Sequence, residues 1–351
     1  MKYRLTILIV ALGLLIVPVT TMAGKLPVYR ISVSEYPSWS AFFVAHAARL
    51  IHQDAGKVGP LEEKWGVDMQ IMWDSYDGTI GKYGARECEA ACLTNLDILI
   101  LSPQRAAVAI LPTSTSYGAD AICVPKSIKA LTDLKGKPVN GLDVSVAEYN
   151  YVRNLEEAGL DLKEYPFASM DPDAVAAAIQ QGKNLYGALW EPMRSETLAK
   201  RPDYHVVADS KAIEGEIVDM VVMGQDVFQK PEGARFAGLI VEVYYELNKL
   251  LDSPDASTSD RAHRAVGAKF GSFTAEQIKD IRTRCKFYGT RADGLKILSE
   301  QHMAPVMIHQ QGFIKVRGAT DRTPTVAYGT ADEVGRCDLR FDPTWVKGYD
   351  K

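Results

Sequence analysis

Two periods alternate along the chain. "PVYRISVS", residues 27–34, has the residue-by-residue alternation of a strand. In "YPSWSAFFVAHAARLIHQ", residues 36–53, Phe42/Phe43, His46/Ala47 and Leu50/Ile51 recur at helical spacing. "VDMQIMW" (67–73) predicts a strand, "YDGTIGKYG" (76–84) a short helix, "EAACLTN" (89–95) a third strand and "LDILIL" (96–101) another helix. Short loops separate these segments, and β-α-β-α-β with short loops predicts a parallel sheet covered by helices on both faces.

Two apolar runs come next, Ala107–Leu111 and Ala121–Val124, and both read as buried strands. Between them stand Ser116, Tyr117, Gly118 and Asp120, an unusual content for a simple turn. The pattern then restarts. "KPVNGLDV", "YPFAS", "LYGALW" and "HVVAD" predict short strands, with helices near 127–134, 146–158, 171–181 and 192–200. Asp171 before Pro172 is a helix-start signal. "EIVDMVVM", residues 216–223, is strand-like again. Helices are predicted over 235–251, 258–269, 274–285 and 293–311, with Thr274 and Gln277 as a capping box. "VAYG" and "DLRFD" near the end predict short strands. Two α/β units joined by strand-like passages at 116–122 and 217–223 imply two lobes linked by a double crossover.

The first residues change the picture of where the chain works. Lys2 and Arg4 precede an apolar run, Leu5–Val17, and small residues at Thr21 and Ala23. This reads as an export leader cleaved after Ala23. The apolar run falls short of the ~20 residues that a membrane span needs, and Pro18 closes it. No cysteine stands behind it for lipid attachment, so a periplasmic location is expected. Taking 23 leader residues from 351 leaves 328, more than one core usually serves. Losing Lys2 and Arg4 takes the formal charge from −4 to −6. That mild acidity, with no clustered basic patch, argues against a nucleic-acid partner.

The five cysteines, Cys88, Cys92, Cys123, Cys285 and Cys337, are too few for a disulfide scaffold. A Cys285–Cys337 bridge is compatible with an oxidising compartment, and the pairing of Cys88 with Cys92 is left open. No histidine or cysteine spacing resembles a zinc site, and no cofactor motif is present. "GTIGKYG" lacks the spacing and final hydroxyl residue of a phosphate loop.

In open α/β sheets ligands bind beyond the carboxyl ends of strands. The residues found there are Trp39 after the first strand, Tyr76 and Asp77 after the second, and Thr94 and Asn95 after the third. Tyr117 and Asp120 lie at the first crossover, Ser145 at a helix start, Trp190 and Glu191 after "LYGAL", and Asp219 in the return crossover. Singly, each has an ordinary reading: Ser145 as a helix cap, Trp39 and Trp190 as core rings, Asp120 and Asp219 as acids held by backbone N–H groups. Jointly, they bring carboxylates and aromatic faces to one cleft. Carboxylates gathered in a dry cleft need a cation or donors, and aromatic faces add cation–π attraction. Ser145 at its helix start is the one feature suited to an anion, and no arginine stands at a strand end to assist it.

At these same residues, "YPSWSAFFVAH", "YDGTIGKYG", "CLTNLD", "TSYGADAI", "LKGKPVNGLDVSVAEYNYV", "LWEP" and "GEIVDMVVM" resemble the periplasmic solute-binding proteins of the taurine, sulfonate and nitrate ABC importers. "CLTNLD", "VNGLDVSVAEYNYV", "GEIVDMVVM" and the tail "DLRFDPTWV" are most similar to the urea-carboxylase-associated members, which serve urea or guanidine-type compounds. The resemblance implies a type II periplasmic binding fold, with a leader at 1–23, a first lobe of 24–118 and 223–351, and a second lobe of 119–222. It implies a monomeric, non-enzymatic receptor that closes on a small nitrogen-containing solute and delivers it to a membrane permease driven by a separate ATPase. Tyr117 departs from the small polar residue common in that group, and Asp143 and Glu148 alter the helix-start motif. Three alternatives stand beside this reading: an anion receptor of the same class, an enzyme resembling the same-fold pyrimidine-synthesising proteins, and a sensory module.

Overall fold

The computed structural model describes residues 25–54, 56–269 and 273–348. The expected leader, residues 1–23, lies outside the described residues. The chain opens with β1 (Val28–Val33), β2 (Asp68–Trp73), β3 (Ala90–Thr94) and β4 (Ala107–Ser116). It crosses into a second sheet made of β5 (Ala121–Pro125), β6 (Val139–Gly141), β7 (Phe167–Ser169), β8 (Tyr186–Leu189) and β9 (Tyr204–Asp209). It then returns through β10 (Val218–Gly224) and adds β11 (Cys285–Phe287), β12 (Val326–Tyr328) and β13 (Leu339–Phe341) to the first sheet.

The first sheet runs β12-β13-β4-β10-β3-β1-β2, with β11 also paired to β4, and the second runs β7-β6-β8-β5-β9. The two share one plan. In each, a strand arriving from the other lobe is inserted antiparallel between two others, β10 between β3 and β4, β5 between β8 and β9. Both sheets are therefore mixed, where the sequence pattern predicts parallel ones. A strand entering from the facing lobe must run back toward its own lobe's far side, against the direction of β1–β3. Residues 218–222, expected with the second lobe, pair in the first sheet instead.

β4 is buried along its whole length, as a central strand covered on both faces must be. It also continues past the apolar run to Ser116, so the predicted loop shrinks to a turn around Tyr117 and Gly118. The hydroxyl-bearing residues stay in the strand because their side chains find acceptors: Thr115 Oγ1 donates to the Ile217 carbonyl at 2.7 Å and Thr113 Oγ1 to that of Asp219 at 3.2 Å. Gly118 turns the chain with a φ of +100°, in the region that favours glycine.

Helices cover the sheets largely where periodicity puts them. Pro231–Leu251 packs its buried face, including Phe236, Leu239, Ile240, Val243 and Tyr244, against the first sheet. Four elements differ from expectation. The long helix after β1 breaks into Pro37–Ser40, a tighter turn at Ala41–Phe43, and Val44–Ala47. Only a 3₁₀ turn, Leu131–Leu134, forms near 127–134. The helix from Ala275 stops at Arg282, freeing Cys285–Phe287 to pair with β4. The span 293–311 falls within two helices, Arg291–Leu298 and Glu300–Arg317, divided at Ser299, whose side chain caps the second.

All five cysteines are free. Cys285 pairs beside Ser116 at one end of β4, whereas Cys337 precedes β13, whose Leu339 is in register with Ala107 at the other end. Nine residues of strand span ~30 Å, far beyond the reach of a disulfide. Cys88 precedes β3 and Cys92 lies inside it, and both thiols are free and buried.

Candidate functional site

The two crossovers form the floor of a cleft. Ser116 Oγ and Ser210 Oγ are 2.6 Å apart, Gly118 N–H donates to Ser210 Oγ at 2.8 Å, and Ser210 N–H donates to the Asp120 carbonyl at 2.9 Å. Asp120 stands immediately before β5, and Asp219 is the second residue of β10. The inserted strand of each lobe thus has an aspartate within one residue of its start, in "DAICV" in one and "DMVVM" in the other.

Above that floor is a cavity of about 510 Å³. Seven carboxylates line it: Glu35, Asp74, Asp77 and Asp219 from the first lobe, Asp120, Asp171 and Asp173 from the second. Five rings line it as well, Tyr36, Trp39, Trp73, Tyr76 and Trp190. Among the described residues no lysine, arginine or histidine lines it. Asp74 has a cation behind it, an ion pair with Lys82.

The two floor acids are nearly inaccessible, Asp120 at 3 % and Asp219 at 1 % exposure. Burial pushes the Asp120 carboxyl up to about 6, against a hydrogen bond from Ser116, and the charges of Glu191 and Asp97 add to the rise. Burial likewise holds the Asp219 carboxyl well above the usual carboxylate range, with the charge of Asp120 adding to it. Ser114 Oγ donates to Asp219 at 2.5 Å. Neither floor acid has an ion-pair partner among the described residues.

The rings are held in place. Tyr76 stacks on Trp39, with centroids 5.6 Å apart and planes 12° from parallel. Its hydroxyl donates to Asp97 at 2.5 Å and accepts from the Thr94 N–H at 3.1 Å. Trp190, from the second lobe, meets Tyr76 edge-on across the cleft at 6.2 Å. Tyr36 lies against Trp39 at 4.9 Å. The buried Trp39 indole N–H has no hydrogen-bond acceptor among the described residues.

Local sequence explains the placement. Ser75 caps Tyr76–Gly84 by accepting from Gly78 N–H, Thr94 caps Asn95–Leu101, and Asp171 caps Pro172–Gln180. Each helix start presents its first turn to the cleft at a strand's carboxyl end.

Of the expected site residues, Trp39, Tyr76, Asp77, Thr94, Asp120, Trp190 and Asp219 line the cavity. Four do not. Both ends of the Asn95 amide are bound to the return crossover, to the Glu216 carbonyl at 2.9 Å and the Val218 N–H at 3.0 Å. Tyr117 lies with its ring between Lys286, 3.5 Å from the centroid, and Lys211, at 5.6 Å. Ser145 caps its helix and donates to the Leu142 carbonyl. Glu191, fully buried, is ion-paired with Arg284 at 2.7 Å and Arg194 at 3.1 Å.

Sequence reasoning missed Ser34, Glu35 and Tyr36, which immediately follow β1, and Asp171 and Asp173, which the pattern marks only as a helix start. The rule that finds the others, acids and rings just after a strand, applies to these as well.

No protein-family model matches this sequence, and no curated protein matches it. Solved structures do resemble the fold. The periplasmic aliphatic sulphonate binding protein SsuA of Escherichia coli superposes with a TM-score of 0.65 at 17 % identity, covering 84 % of this chain and 89 % of that one. The alkanesulfonate-binding protein SsuA of Xanthomonas axonopodis pv. citri, bound to MOPS, gives 0.62 at 16 % identity, covering 86 % and 96 %. The ligand binding component of an ABC-type import system from Staphylococcus aureus gives 0.67 at 8 % identity, covering 92 % and 99 %. The chain has the two-lobed type II periplasmic binding fold.

Proposed function

We propose that this protein is the extracytoplasmic solute receptor of an ABC importer, and that it captures a small nitrogen-containing cation of the amine or guanidinium kind. The fold and its enclosed cleft support the receptor role, as do the importer components among its structural neighbours. In this role the protein binds and releases its ligand unchanged. Delivery to a permease with its own ATPase, and export by the leader at 1–23, belong to the same proposal. Among the described residues no helix is long and apolar enough to cross a membrane.

The single observation that carries the ligand class is the pair Asp120 and Asp219, buried on the cleft floor with no cation beside them among the described residues. Removing two carboxylates from water without a counter-charge is costly. A cationic ligand restores their charged forms, and the ring faces of Trp39, Tyr76 and Trp190 add cation–π attraction of roughly 0.5–2 kcal/mol each. Two of the neighbours bind sulfonates by their names, but a sulfonate in this cavity would meet seven carboxylates and, among the described residues, no basic side chain. A lone urea or guanidinium fills only part of about 510 Å³, a volume in the usual range for larger ligands.

Isothermal titration calorimetry at neutral pH tests this reading, with guanidinium, urea, alkylamines, taurine and nitrate as ligands. Binding of an amine or guanidinium, with none of taurine or nitrate, is expected. Tight taurine or nitrate binding without any cation binding overturns it.

A further inference from the structure

The acids lining the cavity include two sets that stand at the ends of strands three places apart in each sheet. Asp120 and Asp219 lie at the hinge, where β5 and β10 begin, and the charge of Asp120 bears on the titration of Asp219. The second group lies at the far edges of both sheets. Asp77 follows β2, three strands from β10, and Asp171 and Asp173 follow β7, three strands from β5. Three strand spacings are ~14 Å. Those far edges face the same cavity, which Glu35, Asp77, Asp171 and Asp173 all line, and the charge of Asp77 adds to the rise that burial gives the Asp173 carboxyl.

Like charges brought together from two closing lobes oppose closure, and a cation between them favours it. Tyr76 and Trp190, one ring from each lobe, meet edge-on in the same cavity. They offer flat apolar surface where a hydrocarbon linker would lie. The floor supplies what an acidic rim alone would not: a carboxylate, that of Asp120, more than nine-tenths buried, facing the cavity, with no ion-pair partner among the described residues.

We infer that the ligand is an elongated dication, an α,ω-diamine, polyamine or ω-aminoalkylguanidine, with one charged end on Asp120 and Asp219 and the other between Asp77, Asp171 and Asp173. Allowing for side-chain reach from both ends, its charges stand roughly 10 Å apart, a chain of roughly seven to nine bonds. This inference rests on the cationic reading above and narrows it.

Calorimetry with diaminooctane, octylamine and guanidinium on the purified chain separates the two. The diamine is expected to bind about tenfold more tightly than octylamine, the difference that one charge-assisted contact makes. Octylamine is the more hydrophobic of the pair, so a preference for the diamine reports charge. In the double variant Asp171→Asn, Asp173→Asn the preference should fall to about twofold. Asparagine caps a helix as well as aspartate does, so the fold of Pro172–Gln180 is kept. Equal binding of octylamine and diaminooctane by the unaltered chain, or a preference that survives in the double variant, overturns the dication while leaving a cationic ligand standing. Failure of all three probes to bind overturns the cationic reading itself.

Discussion

Two sets of buried carboxylates lie within a few residues of each other in this molecule, and they are built in opposite ways. On the flanks of the crossovers, each acid has its own arginine. Glu216 accepts from Arg153 Nε and Nη2 at 2.9 Å and from Tyr149 at 2.5 Å. Burial alone would raise its carboxyl, yet these partners hold it below the usual value. Glu191 is paired across the lobes with Arg284, and Glu148 with Arg317 at 2.8 Å. On the cleft floor Asp120 and Asp219 are buried more deeply than Glu216, have no arginine beside them among the described residues, and are raised. The chain thus has the means to neutralise a buried acid and uses them on one side only. A paired acid fastens two segments together; an unpaired one beside a cavity is completed by what enters.

The largest expected effect tests the paired set. Glu191→Gln leaves Arg284 and Arg194 without their buried counter-charge and should destabilise the protein by about 3 kcal/mol, read by chemical denaturation. Asp120→Asn should do the reverse. The folded Asp120 carboxyl is raised from 3.8 to about 6, so its contribution to stability is fully present below about pH 4 and is lost as the pH rises through about 6. Above that the variant should gain up to ~3 kcal/mol over the unaltered protein, and the gain should vanish near pH 4. Melting both forms in the absence of ligand across that range checks the sign. A variant less stable at neutral pH would make Asp120 a structural acid like Glu191 and erase the distinction.

Ligand affinity sharpens the same contrast. Asp120→Asn should weaken an amine or guanidinium ligand by about 1.5–3 kcal/mol, tenfold or more, through loss of a charge-assisted partner. Affinity in the unaltered protein should also rise with pH through about 6, as Asp120 gives up its proton to receive the cation. Calorimetry in buffers of different ionisation enthalpy reads that proton directly. Sulfonate-type binding would show the opposite pH trend.

Much of this is legible in the chain, because alternation and helical period are local properties. β1, β2, β3 and the helices Tyr76–Gly84 and Val146–Glu157 follow from spacing and caps. Asp120 and Asp219 stand out because an acid beside a buried strand is conspicuous. The antiparallel insertion of β5 and β10 is not legible, since strand direction within a sheet depends on which lobe the chain comes from. Nor are the roles of Asn95 and Glu191. Each stands at a strand end as a ligand residue would, and only the positions of Glu216, Val218 and Arg284, distant in sequence, show that their polar groups are already occupied. Tyr117 is a neighbour of Asp120 in sequence and so suggests the cleft, whereas its ring is committed to Lys286 and Lys211.

The smallest effect concerns the rings. Trp190 is half-buried, reaches Tyr76 from the opposite lobe, and packs against the cores of both lobes. Its exposed face is therefore assembled only when the lobes meet, and cation–π attraction there adds to closure rather than to folding. Trp190→Leu keeps an apolar side chain against both cores and removes the aromatic face. It should reduce affinity for a cation by about 1 kcal/mol, roughly fivefold, with stability little changed. A neutral ligand of the same shape should lose less, since it has no charge for the ring to attract. Comparing an alkylammonium with its uncharged alcohol analogue in both forms of the protein isolates that difference. An equal loss for both would assign Trp190 to packing, and the grip on the ligand would then rest on the floor acids alone.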